Sequence, residues 1–388
     1  MTSTTKISVY PYVIVGLLAG ALLSILIPPD SFGILPYFPK NQTHLRLFFY
    51  FWTGFYALMF LLAYTHKRSL IQLMLTTLLP SFLASLPLYW QIHYTTSQFF
   101  LFIFFVQALN AFHIHYQTQQ FKWHYPTLFL AVWHTFVKLY IALIFTLLCG
   151  IVFALCGELF KIIGITFITL LLSKNWFIIY FTTIFMSIGL FITDQSNTLV
   201  AQNRSVLLLI CKYLFIPLSV IGILFIITSV FVTIQHHALP NSQAVFLSIA
   251  FFSALFLNAI YQDGTIENPY PRFLTGVYRI FIILTPVFSV LAIHALYFYG
   301  YNNIKTNGFN LSNASYLLNT LLLLTYNTSY AVIALLRRKN WLKSIESINI
   351  VLAIVMIMVT LIGAVPDVTK HFHSTHPVTV KIIKNNKR

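Results

Sequence analysis

The chain has 388 residues, of which 59% are hydrophobic and only 8% charged, and its mean hydropathy is +0.82. Soluble domains carry about 25% charged residues, so a surface this poor in charge must face lipid. The formal charge of +16 would invite a nucleic-acid reading in a soluble domain, but no basic cluster lies in a soluble segment with exposed aromatics. Cationic loops beside anionic headgroups account for it instead.

A bilayer core of roughly 30 Å takes about 20 helical residues, and lipid admits only helices or closed barrels. Barrel strands would alternate with period two, and runs such as Tyr140 to Leu155 do not. The reading is therefore all-α: a polytopic transmembrane helical bundle of about 11 spans, within a range of 10 to 12. The first apolar run follows Lys6. Its Ala19-Gly20-Ala21 resembles a cleavage site, but it continues to Ile27 and is expected as a retained first span. The spans are expected at 9–27, 46–64, 70–91, 98–113, 127–156, 175–193, 206–233, 243–261, 274–299, 314–336 and 346–365. Residues 1–366 then form one transmembrane domain, and 367–388 a basic, flexible tail.

Within this series the fourth span is short enough to be re-entrant. Pro80, Pro87, Pro217 and Pro286 fall inside spans and predict kinks or local breaks. Gly157 to Leu172, with Glu158 and Lys161 among Leu159, Phe160, Ile162 and Ile163, reads as a short interfacial helix. Cys149, Cys156 and Cys211 all lie in apolar runs and predict neither disulfides nor a zinc pattern.

With the N-terminus cytoplasmic, Lys and Arg on the inner segments outnumber those on the outer loops about two to one, led by Lys67-Arg68 and Arg337-Arg338-Lys339. The tail, with Lys370, Lys381, Lys384, Lys387 and Arg388, falls on the other side after eleven spans and opposes that count.

Polar chemistry is sparse. The seven acidic residues all sit near expected span ends, where they serve a proton relay poorly. The histidine clusters, of which His371-x-His373-x-x-His376 is the longest, lack the His-Glu-x-x-His form, so no metal site and no cofactor is expected. No Gly-x-Ser-x-Gly, Walker loop or GxGxxG occurs, and no catalytic residue is picked out.

Lys138, Lys212 and Arg279 lie inside spans. Each either snorkels to an interface or contacts an anion or headgroup. The densest polar cluster holds Asn258, Tyr261, Asp263 and Arg272, around an Asp-Gly turn and a Pro-Tyr-Pro run. It reads as a stiff hairpin or as an ordered cytoplasmic patch with Asp263 beside Arg272.

Leu257 to Gly264 and Pro269 to Leu274 resemble the bacterial membrane family catalogued as Domain of Unknown Function 4153. Tyr125-Pro126-Thr127-Leu128-Phe129 with Trp133, Glu158 to Ile165, and Lys212 to Leu218 resemble it too. The resemblance covers roughly residues 120–365. The chain departs from the family at Gly308 to Asn313, where a Thr-Pro-x-Arg turn is missing. The resemblance implies a bacterial inner membrane protein and no particular reaction. Membrane lipids with anionic headgroups, and a membrane-protein partner, are the expected contacts. A transporter or permease-like role leads, ahead of an accessory protein packing on membrane partners and a lipid- or polyprenyl-substrate enzyme.

Overall fold

The computed structural model describes residues 7–26, 43–64, 69–90, 96–119, 124–236, 243–262, 270–307, 311–336 and 341–363. Twelve helices and no strand occur among the described residues. They are α1 (Tyr10–Leu26), α2 (Thr43–Ala63), α3 (Leu70–Trp90), α4 (Thr96–Gln119), α5 (Tyr125–Ile162), α6 (Phe167–Leu172), α7 (Asn175–Gln195), α8 (Asn197–His236), α9 (Gln243–Tyr261), α10 (Arg272–Asn307), α11 (Leu311–Leu336) and α12 (Trp341–Gly363). Eight are long and apolar enough to cross a membrane, and α1 and α9 are shorter apolar helices.

Apolar side chains cover the outside. Leu143, Leu147, Ile151 and Leu155 on α5 are exposed, as are Ile221, Leu224 and Ile227 on α8. In water this surface would aggregate; in lipid it is the matching solvent. The helices α5, α8 and α10 hold 38, 40 and 36 residues. At 1.5 Å per residue they run about 54–60 Å, so each outruns or steeply crosses a ~30 Å hydrocarbon core.

The helices pack as two groups joined by shared walls. In the first, α5 packs on α7, α7 on α1, α1 on α2 and α2 on α3; in the second, α8, α9 and α11 gather around α10. Helices α4 and α12 touch both groups. In the first group Gly16 and Gly20 of α1 form a Gly-x-x-x-Gly stripe against Thr183, Ser187 and Tyr180 of α7. A Cβ at Gly20 would lie 2.7 Å from the Thr183 hydroxyl, so only glycine allows this approach. Gly189 of α7 likewise meets Ala142 of α5.

Three local expectations are corrected. Helix α4 runs Thr96–Gln119 as one helix, eight residues longer than the expected 98–113 span. Its Asn110, His113, His115 and Gln117 look like a span end in one dimension, but all four are buried between neighbouring helices. The expected interfacial helix from Gly157 is split instead. Its first residues continue α5 to Ile162, and the reversal comes at Gly164, whose φ is +84°. There Ile165 N–H donates to Phe160 O at 2.9 Å and Gly164 N–H to Lys161 O at 3.0 Å, the paired bonds of a glycine-terminated helix end. Helix α6 then folds back over Gly157 through Ile168 and Thr169. The third correction concerns the local breaks expected at the four prolines: α3, α8 and α10 continue through them. Pro286 deprives the Ile282 carbonyl of its helical donor, and the Thr285 hydroxyl supplies one at 2.8 Å.

Candidate functional site

Burying a charge in an apolar bundle requires a partner, and the bundle provides one. Lys138 on α5 pairs with Asp194, the penultimate residue of α7, and each residue is only 2% exposed. The Tyr12 hydroxyl on α1 donates to the other carboxylate oxygen at 2.6 Å. Tyr64 and Phe191 pack edge-on against the Tyr12 ring. The Gln195 amide clasps the Ile7 carbonyl at 2.7 Å just outside this locus. A polar strip approaches it across α3, α4 and α5: Thr77 meets His113 Nε2 at 3.3 Å, and the Asn110 amide donates to Thr135, one turn before Lys138. Lys138 is thus neither at an interface nor beside an external anion; it is spent within the protein.

On the opposite face of α4 and α5 lies a cavity of about 450 Å³, walled by α4, α5, α9, α11 and α12. This is within the range of small-molecule sites. One end is polar. Tyr125 OH accepts from the amides of Asn349 at 2.6 Å and Asn258 at 3.2 Å. Tyr330 OH donates to Asn349 Oδ1 at 3.1 Å and receives the Tyr326 hydroxyl at 2.8 Å. Trp133 Nε1 reaches Asn258 Oδ1 at 3.5 Å. Tyr125, Asn258, Tyr326 and Asn349 all line the cavity, and its body is formed by residues such as Phe104, Ala108, Phe251, Leu255, Leu323 and Ala353. No Asp, Glu, Lys, Arg or His is among the lining residues.

The expected site residues are therefore dispersed. Asn258 stands in the cavity wall. Tyr261, at the end of α9, is buried in the core with Tyr270 and Tyr278. Lys212 sits over the Tyr270 ring at 5.8 Å, and the Tyr270 hydroxyl donates to the Lys212 carbonyl at 2.6 Å. Burial, then Tyr278 and Cys211, push the Tyr270 phenol up. Arg279 donates through Nε to the Ala334 carbonyl at 3.1 Å near the end of α11, where a cation suits the helix dipole. Asp263 and the Arg272 side chain lie outside the described residues, and so does the expected contact between them. The basic tail with His371, His373 and His376 lies outside them as well. Among the described residues no three His, Cys, Asp or Glu side chains converge, and all three cysteines are free.

Sequence reading missed Asn349, Tyr326 and Tyr330 and the pairing of Asp194 with Lys138. The signal was present but faint. Asn349 interrupts an apolar stretch of α12, and Lys138 stood too deep in an apolar run to lack an acidic partner among only seven acids.

An apolar exterior, spanning helices and a buried charge pair define an integral polytopic membrane protein of the helical-bundle class. The chain matches no protein-family model, no curated protein and no solved structure.

Proposed function

We propose that this protein is a permease-like carrier of a bacterial inner membrane, with its N-terminus cytoplasmic, within the family its motifs resemble. The observation that carries the reading is the cavity between α4, α5, α9, α11 and α12, which has hydrogen-bonding groups gathered at one end. A void of this size in a membrane bundle costs packing energy, and a ligand that fills it recovers that energy. The position of the void also suits a carrier. Its walls come from both helix groups, so relative movement of the groups reshapes it. The cytoplasmic N-terminus rests on the Lys/Arg distribution, and lipid headgroups are the natural contacts of those loops. The enzyme reading is less favoured because no carboxylate or cation lines the cavity.

The test is conformational and needs no substrate. Spin labels at Thr118 and Leu336 report one end of the wall, at the close of α4 and α11. Labels at Val245 and Ile362 report the other end, at the start of α9 and the close of α12. Double electron–electron resonance in lipid vesicles is expected to give two distance populations at each pair, one widening as the other narrows. A single unchanging distance at both pairs overturns the carrier reading.

A further inference from the structure

The lining chemistry narrows what the cavity can hold. A charged headgroup brought into it would lose hydration and find no counterion, since no Asp, Glu, Lys, Arg or His lines it. The nearest buried charges across α4 and α5, Lys138 and Asp194, already neutralise each other. The polar end offers phenols and carboxamides, which donate and accept hydrogen bonds without charge. A single hydroxyl or carbonyl can be satisfied there by Asn258, Asn349 or Tyr326.

The dimensions specify the rest of the ligand. Ser248 and Asn258 both line the cavity and stand ten residues apart on α9, about 15 Å along the helix axis. Away from the polar end, and apart from Ser248, Asn319 and Gln107, whose amide donates to the Val132 carbonyl at 3.1 Å, the lining is aliphatic and aromatic, which suits a chain or ring system of that length. Access is also visible. Phe252, halfway along α9, lines the cavity yet is 48% exposed, so the cavity opens on the side of the bundle and not only at its ends. At mid-helix that side faces lipid.

We infer that the cavity takes a neutral amphiphile, an apolar chain or ring ending in an uncharged hydroxyl or carbonyl group, which enters sideways from the membrane beside Phe252. This rests on reading the cavity as the carrier's binding site. The polar head seats against Asn349, Asn258 and Tyr326, and the apolar body lies along Leu255, Leu323 and Ala353.

The experiment uses the full chain in lipid nanodiscs and radiolabelled 1-monoolein as the probe. Oleate, oleylamine and phosphatidylglycerol compete as anionic, cationic and bulk-lipid alternatives. Saturable monoolein binding is expected, with unlabelled monoolein competing at least about tenfold better than any of the three. Ala353→Phe, which fills the cavity one turn of α12 beyond Asn349, is expected to abolish binding. Asn349→Leu is expected to weaken it about tenfold, the loss of one buried hydrogen bond. Tryptophan-monitored thermal unfolding verifies that both variants fold. A charged competitor equal to monoolein overturns the inference, and so does displacement by phosphatidylglycerol, which would make the occupant ordinary membrane lipid. Unchanged binding in folded Ala353→Phe overturns it as well. If the spin-label pairs still exchange while a charged probe wins, the carrier reading stands and the neutral-ligand inference alone falls.

Discussion

Around Tyr12, Asp194 and Lys138 the helices close to backbone contact, whereas around Tyr125, Asn258 and Asn349 they stand apart and leave about 450 Å³ open. Both loci bury polar groups in an apolar bundle, and α5 contributes to both. The difference is charge. An ammonium and a carboxylate in lipid surroundings gain from mutual contact only when water is excluded and every lone pair is engaged. Gly16, Gly20 and Gly189 make that closure possible by removing the side chains that would hold α1, α5 and α7 apart. Phenols and amides carry a smaller desolvation cost, so their cluster can border a void and remain available to a ligand. One locus reads as a fastening and the other as a site.

The strongest way to break the comparison is to leave Lys138 alone. Asp194→Ala is expected to destabilise the folded protein by about 3–5 kcal/mol, seen as a large fall in thermal midpoint in detergent. The double variant Lys138→Met with Asp194→Leu is expected to regain most of that loss, because a packed apolar pair suits the same space. If the double variant is no more stable than Asp194→Ala alone, the pair does more than fasten.

A smaller effect comes from forcing α1 off α7. Gly20→Leu places a side chain against the Thr183 hydroxyl and the Tyr180 ring and should cost about 1–3 kcal/mol. Protease nicking near the start of α1 should rise in parallel. Should Gly20→Leu be neutral, the close approach of α1 and α7 is not what shuts the charged locus.

At the neutral locus the expected cost is lower. Asn349→Leu removes partners from Tyr125 and Tyr330 and should cost about 1–2 kcal/mol in chemical denaturation. The smallest effect is expected from Ala353→Phe, which occupies existing space. Its thermal midpoint should be unchanged or raised, equivalent to a gain of about 0.5 kcal/mol. A marked fall would mean that the void collapses in the membrane, and the contrast between the two loci would weaken.

The sequence was legible where one-dimensional polarity equals depth. Long apolar runs marked the long helices, and even the 40-residue α8 lay under an expected span. It was illegible where polarity points sideways. Asn110, His113 and Gln117 look like the exit of a short span, yet they face α3 and α5 from within a continuous helix. Gly164 was an available stop signal for α5, but Glu158 and Lys161 drew attention to an earlier boundary. An exposed pair three residues apart on a helix surface, as these two are, marks no break in the backbone. For the candidate site, Asn258 was within reach of sequence, while its partners Tyr125 and Asn349 lie 133 residues before and 91 after it. No local pattern connects residues so distant.

By itself the sequence determined the solvent, the helical class and the approximate number of long helices, because hydrocarbon admits few charges and requires each backbone segment to satisfy its own hydrogen bonds. Which charge meets which, and where the bundle leaves room, only the tertiary structure decided. Apolar lipid-facing surfaces are nearly interchangeable along the chain, so helix pairing is set by glycine contacts, scattered amides and the buried ion pair of Lys138 with Asp194. Those become interactions only when helices far apart in sequence are brought side by side.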